Sequence, residues 1–114
     1  MIKIEGETRA AQGQRIGGIF GGRSSSSVEF NDVSVSGSDG SYIKGYCSTA
    51  GVMGQTQGAG TFTNVHTDID IHAVTFGAGG IIGIARYGST FNNCSSAGDI
   101  TLDASKTQLS SYSA

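Results

Sequence analysis

Apolar and polar residues alternate in four short segments of this chain, and a period of two is typical of strands that bury one face. The segments are "IKIEG" from Ile2, "VSVSG" from Val33, "IDIHA" from Ile69 and "ITLDA" from Ile100. Apolar residues at the i, i+3, i+4 and i+7 spacing of an amphipathic helix do not extend over any long stretch. The pattern predicts an all-β protein, in which the first segment is the last part of a preceding coil.

A glycine-bounded apolar pair recurs three times and marks an internal repeat. In each copy the pair lies between two glycines, and a polar loop then leads to a phenylalanine. Two residues later comes Asp or Asn, followed by Val or Cys. The first copy carries one extra residue in its loop, "GRSSSSVE". The pairs with their glycines are Gly18–Gly21, Gly51–Gly54 and Gly80–Gly83, and the later positions are Phe30, Phe62 and Phe91, then Asp32, Asn64 and Asn93, then Val33, Val65 and Cys94.

The copies are spaced by about thirty residues, which is within the range of stacked repeat architectures. Strands at this period, with corners rich in Gly, Ser and Asn, predict a parallel β-solenoid whose coils stack at about 4.8 Å. A chain of 114 residues has the length of one domain. We therefore predict a single domain over residues 1–114, with about three coils at 15–47, 48–76 and 77–105, a partial coil at 1–14 and a tail at 106–114.

The repeated positions also predict which side chains face the core. Glycine permits positive φ or close backbone approach at corners where a Cβ would clash. The Phe, Ile, Val and Cys columns are expected to point inward and to stack like on like. Asp32, Asn64 and Asn93 are expected to form a ladder whose side chains satisfy backbone groups at a corner.

Composition excludes several classes of protein. Charged residues make up 14% of the chain and the net charge is −2, so the basic surface of a nucleic-acid-binding protein is missing. Apolar runs are too short to cross a bilayer, and "MIKIEGETRAAQ" lacks the apolar region of a secretory signal. A chain with 19 Gly and no Pro has the composition of a flexible linker, but its Ile, Val and Phe recur at fixed places. We therefore expect an ordered fold.

The third repeat, "GGIIG…STFNNCSSAGDI", resembles the GLUG motif, a glycine-rich repeat of bacterial surface proteins that include the immunoglobulin A peptidases of streptococci. The second repeat, "AGVMG…GTFTNVHTDIDI", is a looser match, and "GGIFGG…VEFNDVSVSG" is the loosest because its return strand comes early. The resemblance covers about residues 15–103. It implies a right-handed β-helix in an extracellular or cell-surface setting, and it implies no shared catalytic residues.

The segment "HTDIDIH" offers the most suggestive chemistry. If Val65, Thr67, Ile69 and Ile71 face inward, alternation makes the four polar side chains between and beside them face outward along one strand. Neighbours on one face can reach one divalent metal, and an ordinary solvated face is the alternative. Aligned by their alternating strands, Asp32, Asp68 and Asp99 are expected to stack in a column that could hold calcium. The candidate metal ligands are His66, Asp68, Asp70, His72 and Asp99.

Two further sets of residues leave alternatives open. Cys47 and Cys94 do not share a repeat column, so a buried free thiol is expected for Cys94, with a disulfide between the two as the alternative. The tyrosines at 42, 46 and 87 are expected in loops, where they are either ordinary exposed side chains or platforms for sugars. Carboxylates are present for sugar hydrolysis, but the long loops that build a cleft are missing.

These observations favour a non-enzymatic structural or adhesive β-solenoid module that needs no cofactor. A carbohydrate-binding or carbohydrate-processing β-helix fragment is the alternative, and a calcium-binding repeat module is a third. Natural solenoids need caps at their ends, whereas the tail offers only Leu109 and Tyr112 to cover the last coil. We therefore expect either self-association through the ends or edges, or membership of a longer chain.

Overall fold

The structure is a computed structural model, and it describes residues 2–5, 15–24, 26–74 and 77–102. These residues form fourteen strands and no helix. The all-β prediction is therefore confirmed. Most of the predicted partial coil (6–14), the end of the third repeat (103–105) and the predicted tail (106–114), with Leu109 and Tyr112, lie outside the described residues.

All strand pairs are parallel and fall into four separate sheets, A to D. Each sheet receives strands from successive repeats. Sheet A contains β1 (Lys3–Glu5), β5 (Tyr42–Gly45), β9 (Asp70–Ala73) and β14 (Ile100–Leu102); sheet B contains β2 (Ile16–Gly17), β6 (Thr49–Ala50) and β10 (Ala78–Gly79); sheet C contains β3 (Phe20–Ser24), β7 (Met53–Thr56) and β11 (Ile82–Ile84); sheet D contains β4 (Val28–Ser36), β8 (Gly60–Asp68), β12 (Thr90–Asn92) and β13 (Ser95–Ala97).

The register of the sheets places equivalent residues of the repeats side by side. Phe62 pairs with Phe30 on one edge and with Phe91 on the other. Met53 pairs in the same way with Phe20 and Ile82. The prediction that equivalent residues of the repeats lie side by side in columns is therefore confirmed. We call one set of strands at the same level a layer. Strands β2–β5 form the first layer, β6–β9 the second and β10–β14 the third, and β1 precedes the first layer, where it pairs with β5.

The predicted return strand of the first repeat was wrong. "VSVSG" was aligned with the later segments at Ile69 and Ile100, but Val33 pairs with Val65, within sheet D. The strand in register with Ile71 and Ile100 is β5, through Ile43. Five residues, 37–41, separate β4 from β5, whereas Ile69 alone separates β8 from β9. The first repeat thus has a longer corner, and this insertion shifts its return strand along the chain.

The extra residue of the first repeat lies at the start of its polar loop. The pairing of β3 with β7 shifts between Phe20, opposite Met53, and Arg23, opposite Gln55. Such a shift is a β-bulge, which absorbs one additional residue without moving the rest of the ladder. Pairing then resumes in constant register from Val28, opposite Gly60.

The core consists of two apolar clusters that follow the predicted columns. Phe62 is fully buried and lies between Phe30, at 5.5 Å between ring centroids, and Phe91, at 4.9 Å. Both pairs are nearly coplanar, at 8°, so the rings form a continuous stack. The first cluster contains Val52, Met53, Phe62, Val65, Ile81 and Ile82, and the second contains Ile43, Ile69, Ile71, Ala73 and Ala78.

One glycine column is required by the close approach of successive layers. The N–H of Gly18 donates to the carbonyl of Gly51, and the N–H of Gly51 donates to that of Gly80, each at 3.0 Å. A Cβ on Gly18 or on Gly51 would lie 2.2 Å from the carbonyl oxygen of the next layer. Any side chain at these positions would therefore push the layers apart.

Candidate functional site

A ladder of three polar side chains lies at the corner in the middle of sheet D. Asn64 Nδ2 donates to Asp32 Oδ1 at 2.8 Å, and Asn93 Nδ2 donates to Asn64 Oδ1 at 3.1 Å. The backbones of Asp32, Asn64 and Asn93 have φ of 56°, 55° and 52°. Asn and Asp tolerate this left-handed conformation better than other residues with a side chain. The predicted ladder is present, but its members bond to one another rather than to backbone groups of the corner. The left-handed conformation explains why this column is Asp or Asn.

The ladder has a fixed direction because its first member is a carboxylate. An ionised Asp accepts hydrogen bonds and donates none, so Asp32 orients the amide nitrogen of Asn64 toward itself. The carbonyl Oδ1 of Asn64 then faces His66 Nε2, at 2.9 Å. Since Oδ1 is an acceptor, Nε2 must carry the proton, and in the neutral ring Nδ1 is left as an acceptor. Ser95 Oγ lies 2.6 Å from Nδ1, and in that tautomer its hydroxyl is the donor.

Ser95, His66 and Asn64 therefore form a chain with the connectivity of a nucleophile, a base and an orienting group. The same bonds also join the layers. The His66–Ser95 and Asn64–Asn93 bonds connect residues 29 positions apart, and the Asn64–Asp32 bond connects residues 32 apart. The sequence reasoning did not single out Ser95. Its spacing of 29 residues from His66, which equals the offset between the second and third repeats, is the signal that could have found it.

The predicted inward and outward faces of "HTDIDIH" are confirmed, but the single strand is not. Val65, Thr67, Ile69 and Ile71 are all buried. Ile69 interrupts the strand, so His66 and Asp68 belong to sheet D while Asp70 and His72 belong to sheet A. Within the described part of the chain, no group of three or more His, Cys, Asp or Glu residues is placed to hold a metal ion.

The predicted calcium column of Asp32, Asp68 and Asp99 was wrong in register. Asp32 lies in the ladder with Asn64, and Asp68 pairs with Ser36 and Ala97. Asp99 lies instead beside Asp70, whose Oδ1 accepts its backbone N–H at 2.9 Å. The error has two origins. The longer corner of the first repeat misplaced Asp32, and Asp99 was misplaced because Ile100 was aligned with Ile69, whereas it pairs with Ile71.

The outer face of sheet A carries a second polar cluster, around Tyr42. The prediction placed Tyr42 in a loop, but it begins β5. Its hydroxyl donates to Glu5 Oε1, Lys3 Nζ lies 5.6 Å from its ring centroid, and the His72 ring meets it edge-on at 5.8 Å. The hydrogen bond to the Glu5 carboxylate, with partial burial and the Glu5 charge, raises the pKa of Tyr42 above its ordinary value.

The remaining candidates lie apart from these clusters. Cys47 and Cys94 are not joined by a disulfide. Cys47 is buried, whereas Cys94 is half-buried rather than fully buried as expected, and its Sγ donates to the carbonyl of Phe62 at 3.2 Å. Tyr46 lies in the bend after β5. Tyr87 lies in the predicted loop, is exposed and has a φ of 57°.

No protein-family model matches the chain, and no curated protein or solved structure is significantly similar to it. The resemblance to the GLUG motif therefore stays a prediction that rests on the residues of the repeats. The described residues contain no helix that is long and apolar enough to cross a membrane.

Proposed function

We propose that the chain is a non-enzymatic β-solenoid module with a structural or adhesive role in a bacterial surface or secreted protein. In this proposal the three layers are three right-handed coils of one domain, and β1 is the end of a fourth. The right-handed sense and the surface location come from the resemblance to the GLUG motif. The module acts through its regular exterior and its ends.

The observation that supports this proposal is that the repeated residues contact their neighbours in the next layer. The phenylalanines stack, the glycines give space to the carbonyl of the next layer, and the Asp and Asn residues bond along the stack. These repeated features thus join one layer to the next.

The sharpest test against an enzyme concerns Ser95, because its hydrogen bond to His66 is the arrangement that activates a nucleophile. We expect a serine-directed fluorophosphonate to leave the folded chain unlabelled. Ser95→Ala is the matched control, and Ser96→Ala removes the neighbouring hydroxyl. Labelling that survives in Ser96→Ala and disappears in Ser95→Ala would show an activated serine and contradict the proposal.

The carbohydrate-binding alternative is favoured by the cluster on sheet A. Tyr42 offers an aromatic surface beside the Glu5 carboxylate and the His72 ring, and sugar recognition uses such combinations of apolar faces and hydrogen-bonding groups. A glycan array with and without calcium separates the hypotheses. Saturable binding lost in Tyr42→Ala but kept in Tyr87→Ala would support this alternative, and binding only with calcium would support the calcium-binding one. The structural proposal predicts neither.

A further inference from the structure

We draw no further inference here: the strongest candidate, the apolar groove of about 300 Å³ at the end of the third layer, between Ile81, Phe91, Cys94 and Ile100, carries none because nothing in the structure shows what covers it.

Discussion

The amide nitrogen of Asn64 lies 2.8 Å from Asp32 Oδ1, and this contact connects the first layer of the protein to the second through a corner. Both residues have the left-handed backbone conformation. The carboxylate sets the orientation of the Asn64 amide, and through it the protonated nitrogen of His66. A single acidic side chain thus determines the hydrogen-bonding direction of the corner.

Exchange of acid and amide tests this direction. Asn64→Asp replaces the donor facing Asp32 with a second carboxylate, so we expect a loss of about 1–3 kcal/mol in the free energy of unfolding. Asp32→Asn keeps an acceptor at the same place and tolerates the same φ, so we expect a change within about 0.5 kcal/mol. Urea denaturation near neutral pH measures both. Equal effects of the two exchanges would show that the ladder has no preferred direction.

Glycine is required at position 51 because there is no room for a Cβ, not because the backbone has a positive φ. Its Cβ would lie 2.2 Å from the carbonyl of Gly80, so we expect Gly51→Ala to destabilise by about 3 kcal/mol or to prevent folding. Gly88 is the control, because it has a φ of 75° and open space around its Cβ position. Gly88→Ala is expected to cost only about 1–2 kcal/mol, from backbone strain. Thermal denaturation of the two variants compares them, and a smaller loss for Gly51→Ala would contradict the close packing of the layers.

The ring stack is expected to carry much of the stability of the first core cluster. Phe62→Ala removes the fully buried ring between Phe30 and Phe91, and the expected loss is about 3–5 kcal/mol. Asp68→Ala serves as the comparison, since Asp68 is exposed in the same strand, and its effect is expected within about 0.5 kcal/mol. Similar denaturation midpoints for both variants would mean that the faces of β8 are reversed.

The raised pKa of Tyr42 gives a prediction at alkaline pH. The Glu5 carboxylate accepts a hydrogen bond from the Tyr42 hydroxyl and repels the tyrosinate, so the pKa of Tyr42 lies above its ordinary value of 10.0. Because the folded pKa lies above the unfolded one, this stabilisation is present below pH 10 and is lost as pH rises through the folded pKa. The difference in tyrosinate absorbance between wild type and Tyr42→Phe measures the titration. In Glu5→Gln the pKa of Tyr42 is expected to fall; an unchanged titration would rule out Glu5 as the cause.

Much of the fold could be predicted from the sequence because equivalent residues of the repeats pair side by side. The Phe column, the glycine column and the Asp–Asn ladder depend only on spacing within each copy, and all three were read from it. The inward and outward faces around Ile69 and Ile71 also followed from alternation, which persists across the interruption between β8 and β9.

The parts of the fold that were predicted wrongly depend on the corners, where the number of residues differs from one repeat to the next. Five residues between β4 and β5 take the place of one in the second repeat, and alternation in "VSVSG" gave no sign that it belonged to sheet D. The placement of Asp32 in a column with Asp68 and the placement of Tyr42 in a loop both followed from this. Asp99 was misplaced because Ile100 was aligned with Ile69, whereas it pairs with Ile71. The contact between His66 and Ser95 was missed because the sequence reasoning compared residues of like chemistry, and these two differ.

The acceptor-only carboxylate of Asp32 has a consequence for lengthening the protein by design. An additional repeat appended after the third can present an Asn whose amide donates to the carbonyl of Asn93, in the manner of the existing bonds. A repeat added before the first would meet Asp32, which has no proton to offer to the preceding side chain. Arrays should therefore be extended from the carboxyl-terminal side, whereas extension in the other direction first requires an amide at position 32.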